Sequence, residues 1–155
     1  MIARYTQGSL VWLDVANPTQ DEIHEIVGEC KIPLTLATDL TSMTPRSEVL
    51  ADKKVLKLTV DFPIVRRTDI NHPHEIKFIA TKKHLVTIRF EDITAVDRFA
   101  KEFEVISILK SSSGKATGGN ILLTLLDRLY TSLDHKLDHL EAKLADAEDG
   151  VFAER

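Results

Sequence analysis

Residues Glu75 to Phe90 read "EIKFIATKKHLVTIRF". The run Glu75–Thr81 alternates apolar and polar side chains, and the run His84–Phe90 has the branched and aromatic composition of a strand. Only Lys82 and Lys83 separate the two runs, which is the connector length of a tight turn. We therefore predict an antiparallel hairpin of two central strands, and the other elements are placed outward from it.

A strand and a helix are predicted on the N-terminal side. The run "SLVWLDV", Ser9–Val15, has strand composition and is stopped by the turn sequence "NPT". Thr19 and Glu22 then have the spacing of a capping box, in which each side chain binds a backbone N–H of the first helical turn. A helix is expected to begin there, with an apolar face formed by Ile23, Ile26 and Val27.

Two more elements are predicted between this helix and the hairpin. A short helix is expected from Pro33 to about Thr41, with Asp39 on its polar side. A strand is expected over Val55–Val65, broken or confined to a sheet edge by Pro63. The residues expected to face inward from the short helix are Leu36, Ala37 and Leu40.

The C-terminal side of the hairpin returns to helical spacing over Ile93–Val105, with Val96, Phe99, Ala100 and Phe103 on one face. The segment "SSSGKATGG", Ser111–Gly119, is a flexible joint by composition. The sequence thus predicts an α/β or α+β domain with a mixed sheet over 1–110, a hinge over 111–119 and a long amphipathic helix over 120–155.

The terminal helix is predicted from "NILLTLLDRLYTSLDHKLDHLEAKLADAEDG", Asn120–Gly150. Its helical part would be about 43 Å long, whereas a domain of about 110 residues is roughly 34 Å across. The helix is therefore expected to extend beyond its own domain. The period of its apolar stripe lies between the 3.5 of a coiled coil and the 3.6 of a straight helix. The stripe consists of Leu122, Leu126, Leu129, Leu133, Leu137, Leu140, Leu144 and Ala147.

Two partners for this stripe are open. It can pack on the core of its own chain, as most amphipathic helices do. The excess length favours instead a partner helix, either downstream in the chain or supplied by another subunit.

Charge and composition exclude several classes of protein. The chain has 155 residues, a net charge of -4 and 43% hydrophobic residues, which is typical of a soluble globular protein. No cluster of Lys and Arg forms a surface for nucleic-acid phosphates. The basic pairs at Lys53–Lys54, Arg66–Arg67 and Lys82–Lys83 are interpreted as strand ends or turns.

The compartment is inferred from one cysteine and from hydropathy. Cys30 has no intramolecular partner, which favours a reducing, cytosolic environment and a buried, unreactive thiol. We expect no secretory signal, since no apolar stretch follows a basic N-terminal segment. The longest apolar run, Ile121–Leu126, is too short to span a bilayer.

A histidine pair on the terminal helix has metal-binding spacing. His135 and His139, at i and i+4, could chelate zinc or nickel from one helix face. The pair lies opposite the leucine stripe and has no third ligand, which favours a solvated polar face. Asp134 and Asp138 flank the stripe and are explained equally well as solubilising charge.

A loop also gathers possible metal ligands, namely Asp69, His72, His74 and Glu75, but nothing elsewhere completes a set. Catalytic motifs are missing: the chain has no GxSxG elbow, P-loop, GxGxxG, HExxH or paired-cysteine motif. We therefore expect no enzyme activity.

Five stretches follow one another in a specific order: "VWLDVANPTQDEI", "IPLTLATDLTSMTPRSE", "LKLTVDFPI", "IKFIATKKHLVTIRF" and "LLTLLDRLYTSLDHKLDHLEAKLADAEDGVF". In this order they resemble the cytosolic N-terminal region of CorA-like divalent-cation transporters, from about Leu10 to Phe152. The resemblance implies an αβα sandwich, an α/β fold with helices on both faces of the sheet, standing on a funnel of long helices.

The resemblance also implies a function and an assembly. It implies a homopentameric inner-membrane channel for hydrated Mg²⁺, Co²⁺ or Ni²⁺, or for Zn²⁺ in the ZntB-like branch. The terminal helix would pair with a second antiparallel helix, followed by a stalk, two transmembrane segments and a Gly-Met-Asn loop. None of these later parts lies within the 155 residues, so the sequence is expected to be a cytoplasmic region truncated before them.

One site residue is carried over from the resemblance. CorA-like proteins often place a Glu-Asp pair where this chain reads "ATDL", so Asp39 matches the Asp while Thr38 replaces the Glu. The implied role is a regulatory divalent-cation site shared with a carboxylate of the neighbouring subunit. Arg46 and Glu48 match the family pattern only approximately and are interpreted as structural, and Trp12 is interpreted as a marker of the fold.

The rival hypothesis is a free-standing interaction module that oligomerises through the terminal helix and binds no metal. For the 155 residues by themselves we expect a monomer or a weak association through the leucine stripe.

Overall fold

A single mixed sheet with helices on both faces forms the body of the molecule. The computed structural model describes residues 1–44, 46–63, 74–109 and 116–153. Within these residues the elements in chain order are β1 (Ile2–Gln7), β2 (Leu10–Ala16), α1 (Gln20–Cys30), α2 (Leu34–Ala37), β3 (Glu48–Asp52), β4 (Val55–Asp61), β5 (Glu75–Ala80), β6 (His84–Arg89), α3 (Thr94–Leu109) and α4 (Gly118–Ala153).

The predicted hairpin lies at the centre of this sheet. The strand order is β1-β2-β6-β5-β4-β3. β5 and β6 pair antiparallel with Ile79 opposite Val86, and β2 runs parallel to β6, with Leu13 opposite Val86. Every residue of β5 is buried, as expected for a strand that is covered on both faces. The mixed α/β sheet is thereby confirmed.

Each face of the sheet carries its own apolar core. On one face α3 and α4 pack over aromatic rings, with the Trp12 ring centre 5.2 Å from that of Phe99 and 5.5 Å from that of Phe103. On the other face α1 and α2 cover a second cluster that includes Leu13, Ile26 and Ile79. The four α3 residues predicted to face inward are all buried: Val96, Phe99, Ala100 and Phe103.

Two edge strands were not predicted from the sequence. β1 and β3 lie at the two edges, and none of their residues is fully buried. An edge strand needs no strong alternation of apolar residues, so its pattern is weak. β4 ends at Asp61, and the last residues of the predicted strand, 64 and 65, lie outside the described residues.

The start of α1 follows the predicted capping box. The Thr19 hydroxyl accepts a hydrogen bond from the backbone N–H of Glu22 at 3.2 Å, and the Glu22 carboxylate accepts one from the Thr19 N–H at 2.9 Å. Ile23 and Ile26 are buried, and Lys31 ends the helix in the left-handed region with φ 53°.

The prediction of a helix as far as Thr41 was wrong, because α2 consists of four residues and ends at Ala37. Thr38 is extended, with ψ 145°, and Asp39 is left-handed, with φ 62°. Leu36 and Leu40 are buried as predicted, yet a turn rather than a helix brings Leu40 inward. Asp39 therefore lies on an exposed turn after α2, not on the polar side of a helix.

The last helix, α4, has 36 residues, or about 54 Å of length. Its first four turns pack on the sheet, where Leu122, Leu125 and Leu129 are buried. Farther along, Leu137 and Leu144 are 57% and 61% exposed. The predicted overhang is confirmed, with one correction: Leu125 is fully buried, whereas Leu126 of the predicted stripe is only partly buried. A period of 3.6 allows either residue, and Leu125 is the one that packs in the core.

The helix begins at Gly118, two residues before the predicted start. Residues 111–115 of the predicted hinge lie outside the described residues. The division into a domain, a hinge and a helix therefore stays a prediction.

Gly118 allows α4 to start against the end of the central hairpin. Its N–H donates to the carbonyl of Thr81 at 3.1 Å. A Cβ at this position would lie 2.0 Å from the carbonyl oxygen of His84, whereas a Cβ at Gly119 would have its nearest neighbour at 3.9 Å. We expect Gly118→Ala to lower the free energy of unfolding by about 1–3 kcal/mol, because backbone atoms would have to move.

Gly119→Ala is the matched control. It adds the same methyl group in open space and should leave stability unchanged or slightly higher, since Ala favours helix over Gly. Urea denaturation followed by circular dichroism measures both. Equal stability of the two variants would contradict the role assigned to Gly118.

Candidate functional site

The candidate cation residue, Asp39, is presented by the turn of residues 38–44 that follows α2. Its backbone φ of 62° is a conformation that Asp tolerates better than most residues. The residue is exposed, and within the described part of the chain its carboxylate forms no hydrogen bond or ion pair. Thr38, which stands where the family often has Glu, is also exposed, and its hydroxyl donates to the carbonyl of Thr35 at 3.5 Å.

Two buried lysines lie beneath this turn. Lys57 of β4 and Lys77 of β5 are only 1% and 0% exposed. The ammonium of Lys77 donates to the backbone carbonyls of Asp39 and Ser42, and that of Lys57 donates to the carbonyl of Thr38 at 3.3 Å. The alternation along β4 and β5 points both side chains toward α2, so the sheet itself places them under the turn.

Two carboxylates complete this network. Glu75 forms an ion pair with Lys77 at 3.1 Å, and its other oxygen accepts hydrogen bonds from the N–H and hydroxyl of Thr44 at 2.8 and 2.6 Å. Glu48 forms an ion pair with Lys57 at 3.2 Å, in line with its structural interpretation. The turn is thus tied to β4 and β5 at both of its ends.

A separate polar cluster lies on the opposite face of the sheet. Trp12 donates through Nε1 to the Thr87 hydroxyl at 3.2 Å, and Thr87 donates to Asp14 at 2.6 Å. Arg89 forms ion pairs with Asp14 at 3.0 Å and with Asp97 of α3 at 2.8 Å. These side chains are hydrogen-bond and ion-pair partners of one another. The cluster joins β2, β6 and α3, and Trp12 keeps its interpretation as a marker of the fold.

The chain matches the sequence profile of a protein family. The sequence profile described as "CorA-like Mg2+ transporter protein" matches residues 7–155, which is nearly the whole chain. The chain belongs to this family. A search of curated protein sequences found no match.

Solved structures share the fold of this CorA-like chain. The soluble domain of CorA from Methanocaldococcus jannaschii matches with a TM-score of 0.73 at 22% identity, covering 94% of this chain and 56% of that one. The complete CorA magnesium transporter from the same organism matches with a TM-score of 0.68 at 20% identity, covering 96% and 46%. The ZntB cytoplasmic domain from Vibrio parahaemolyticus matches with a TM-score of 0.65 at 14% identity, covering 93% and 57%.

The CorA-like chain therefore spans about half the length of these solved relatives. At these identities the structures establish the fold and nothing further. Among the described residues, no helix combines the length and the apolar character needed to cross a bilayer.

The histidine pair of α4 lies on the solvent-exposed side of the helix. His135 and His139 are exposed on α4, and the described residues contain no group of three or more His, Cys, Asp or Glu side chains able to hold a metal. Asp134 and Asp138 are exposed on the same helix. This agrees with the interpretation of a solvated helix face.

The loop cluster is only partly described, since Asp69 and His72 lie outside the described residues. Glu75 is the first residue of β5, as the predicted strand Glu75–Thr81 requires, and both His74 and Glu75 are buried rather than exposed in a loop. The His74 ring lies 2.9 Å from a Glu91 oxygen, and Glu75 is engaged by Thr44 and Lys77. Glu75 is thus engaged by structural partners, and the buried His74 ring lies beside the partly exposed Glu91.

Sequence reasoning did not find Lys57 and Lys77. In "VLKLTVD" and "EIKFIAT" they occupy the polar positions of alternating strands, which normally face solvent. No local signal marks them, because the helices that cover this face of the sheet, α1 and α2, lie far away in the sequence.

The thiol of Cys30 is buried against the core beneath α1. Burial, together with the nearby Glu29 carboxylate, raises the pKa of the Cys30 thiol to about 12. The neutral thiol is therefore the form present at neutral pH, and it is neither a nucleophile nor a good metal ligand.

We expect Cys30 to react with a chromogenic disulfide reagent at pH 8 at least about a hundredfold more slowly than a free cysteine. The denatured chain in guanidinium is the control and should react at the ordinary rate. Fast labelling of the folded protein would contradict the buried, protonated thiol.

Proposed function

We propose that the chain is the cytosolic regulatory region of a CorA-like transporter of divalent cations, with Mg²⁺, Co²⁺ or Ni²⁺ as transported ions and the same class of ion as regulator. The observation that carries this proposal is the family match over residues 7–155. In this proposal identical subunits assemble as a pentamer in the inner membrane. The pore would be formed by segments outside these 155 residues, and the chain itself performs no enzymatic reaction.

We further propose that Asp39 contributes to a regulatory cation site at a subunit interface. Its carboxylate is exposed and has no hydrogen-bond or ion-pair partner among the described residues, which supports this role. Two carboxylates facing each other across an interface repel unless a cation lies between them, and Mg²⁺ binds carboxylates while keeping several of its waters. Bound cation would hold the subunits together and favour a closed pore, and its loss would loosen them.

The ion could instead be Zn²⁺, as in a ZntB-like transporter. The donors that the 38–44 turn offers are the Asp39 carboxylate and hydroxyl oxygens, with no His or Cys within the turn. Oxygen donors suit Mg²⁺, whereas Zn²⁺ prefers nitrogen and sulfur. The composition of the turn therefore favours Mg²⁺ as the regulatory ion.

The test of the sensor is Asp39→Asn in the assembled transporter. Asn tolerates the left-handed backbone at this position, so the variant removes the charge and keeps the turn, whereas Ala would add backbone strain. We expect the Mg²⁺ concentration that gives half-maximal protection from protease to rise about tenfold, which corresponds to 1.4 kcal/mol.

Asp52 supplies the matched control for this test. Its carboxylate accepts a hydrogen bond from Thr35 of α2 at 3.3 Å, close to the same turn. Asp52→Asn should leave the Mg²⁺ midpoint where it was. An unchanged midpoint in Asp39→Asn would remove Asp39 from the sensor.

A second function, a free-standing oligomerisation module, is favoured by the exposed leucines of α4. Leu137, Leu140 and Leu144 are 57%, 43% and 61% exposed on one side of the helix. Such a face is stable in water only with a partner helix or at a cost in free energy. The same face fits a helical funnel in the transporter.

Light scattering of the 155-residue chain separates the two functions. A regulatory region without the rest of its transporter should be a monomer or a weak associate, whereas an oligomerisation module should form a tight oligomer at micromolar concentration. In the second case Leu140→Gln with Leu144→Gln should dissociate it. Leu123→Gln, at a position 70% exposed near the start of α4, is the control and should not.

A further inference from the structure

The ammonium groups of Lys57 and Lys77 are buried in the centre of the sheet, where charged side chains occur almost exclusively in paired form. Two carboxylates of the sheet, Glu48 and Glu75, form ion pairs with them. Their remaining partners come from one place, since the backbone carbonyls of Thr38, Asp39 and Ser42 accept their hydrogen bonds. The lysines therefore connect the sheet to the turn that carries Asp39.

Lys77 fills a site of the kind that a bound cation would occupy. Two carbonyl oxygens and the carboxylate of Glu75 surround its ammonium, and the Phe90 ring centre lies 5.6 Å away. Hydrogen bonds to a charged group are worth more than neutral ones, and they strengthen further where water is excluded. This internal cation holds the backbone around Asp39 without any metal.

The left-handed backbone of Asp39 depends on the same contacts. A non-glycine residue at a φ of 62° is disfavoured relative to ordinary backbone and persists only where its surroundings impose it. Here the carbonyl of Asp39 points inward to Lys77 while its carboxylate stays exposed. The inward carbonyl and the outward carboxylate are two consequences of one conformation.

The charges within the network balance. Two ammonium groups, Lys57 and Lys77, face two carboxylates, Glu48 and Glu75. The network thus has no surplus positive charge with which to neutralise Asp39, which is left available to a cation from outside.

We propose that Lys57 and Lys77 are positioning residues for the regulatory cation site, which they preorganise by holding the 38–44 turn in the conformation that presents Asp39. This inference rests on the proposed function of Asp39. A preorganised turn binds its ion without the entropic cost of ordering, so the lysines raise cation affinity without touching the ion.

The first test measures the turn itself by amide hydrogen exchange of the 155-residue chain without divalent cations. Lys77→Met keeps the length and apolar stem of the side chain and removes the ammonium. We expect exchange of the amides of residues 38–44 to accelerate at least about tenfold, while β6 and α3 keep their protection.

Thr59→Val is the matched control. Thr59 lies directly opposite Lys77 in the β4–β5 register, and its buried hydroxyl has no hydrogen-bond partner among the described residues. The nearly isosteric change should leave exchange in the turn unaltered. Where the single lysine variant fails to fold because Glu75 is left as an unpaired buried charge, the pair Lys77→Met with Glu75→Gln removes both charges and takes its place.

The second test repeats the Mg²⁺ titration of protease protection in the assembled transporter. Lys77→Met should shift the midpoint to at least about fivefold higher Mg²⁺, and saturating Mg²⁺ should restore protection of the turn. A structural role without a link to the ion would lower stability and leave the midpoint unchanged.

Each result has one meaning. Unaltered exchange of residues 38–44 in Lys77→Met would overturn the positioning role, whatever the cation does. A loosened turn with an unchanged Mg²⁺ midpoint would overturn the link between the lysines and cation affinity. A loosened turn together with an Asp39→Asn variant of unchanged midpoint would show that the proposed role of Asp39 has failed, while the lysines still order the turn.

Discussion

The rest of the structure depends on the burial of the β5–β6 hairpin on both of its faces. All six residues of β5 are buried, and both neighbouring strands continue the sheet. A strand in this position needs helices above and below it, and the two apolar cores supply them. It also needs an internal partner for every polar side chain, because water is excluded on both sides.

The need for internal partners of buried polar side chains determines the conformation of the 38–44 turn above the sheet. Lys77 cannot reach solvent, so the chain after α2 supplies two carbonyl partners in addition to the Glu75 carboxylate of its own strand. The turn therefore leaves the helix at Ala37, directs its carbonyls inward and presents Asp39 outward. The outward position of Asp39, which we connect with cation regulation, is therefore a consequence of how the buried ammonium of Lys77 finds its hydrogen-bond partners. The opposite face meets the same requirement through Asp14 and Arg89, which pair without forming an exposed site.

The long helix follows a different constraint, the mismatch between its length and the width of the sheet. Leu122, Leu125 and Leu129 pack in the core, whereas Leu137, Leu140 and Leu144 are exposed among the residues that the structure describes. A helix of 36 residues is longer than the sheet it packs on. Both functions proposed for the chain assign this exposed apolar face to a contact with another helix.

The sequence by itself determined the elements whose signals are local: the hairpin, the Thr19 capping box, the inward face of α3, the overhang of α4 and the membership of the CorA-like family. Only the tertiary structure decided the length of α2, the left-handed backbone of Asp39 and the burial of Lys57 and Lys77. The physical reason is that a lysine in an alternating strand predicts a solvent-facing position. Only the tertiary structure shows that helices cover this face of the sheet. The carbonyls that bind Lys77 lie 38 and 35 residues away in the chain, a distance at which no local pattern specifies a contact.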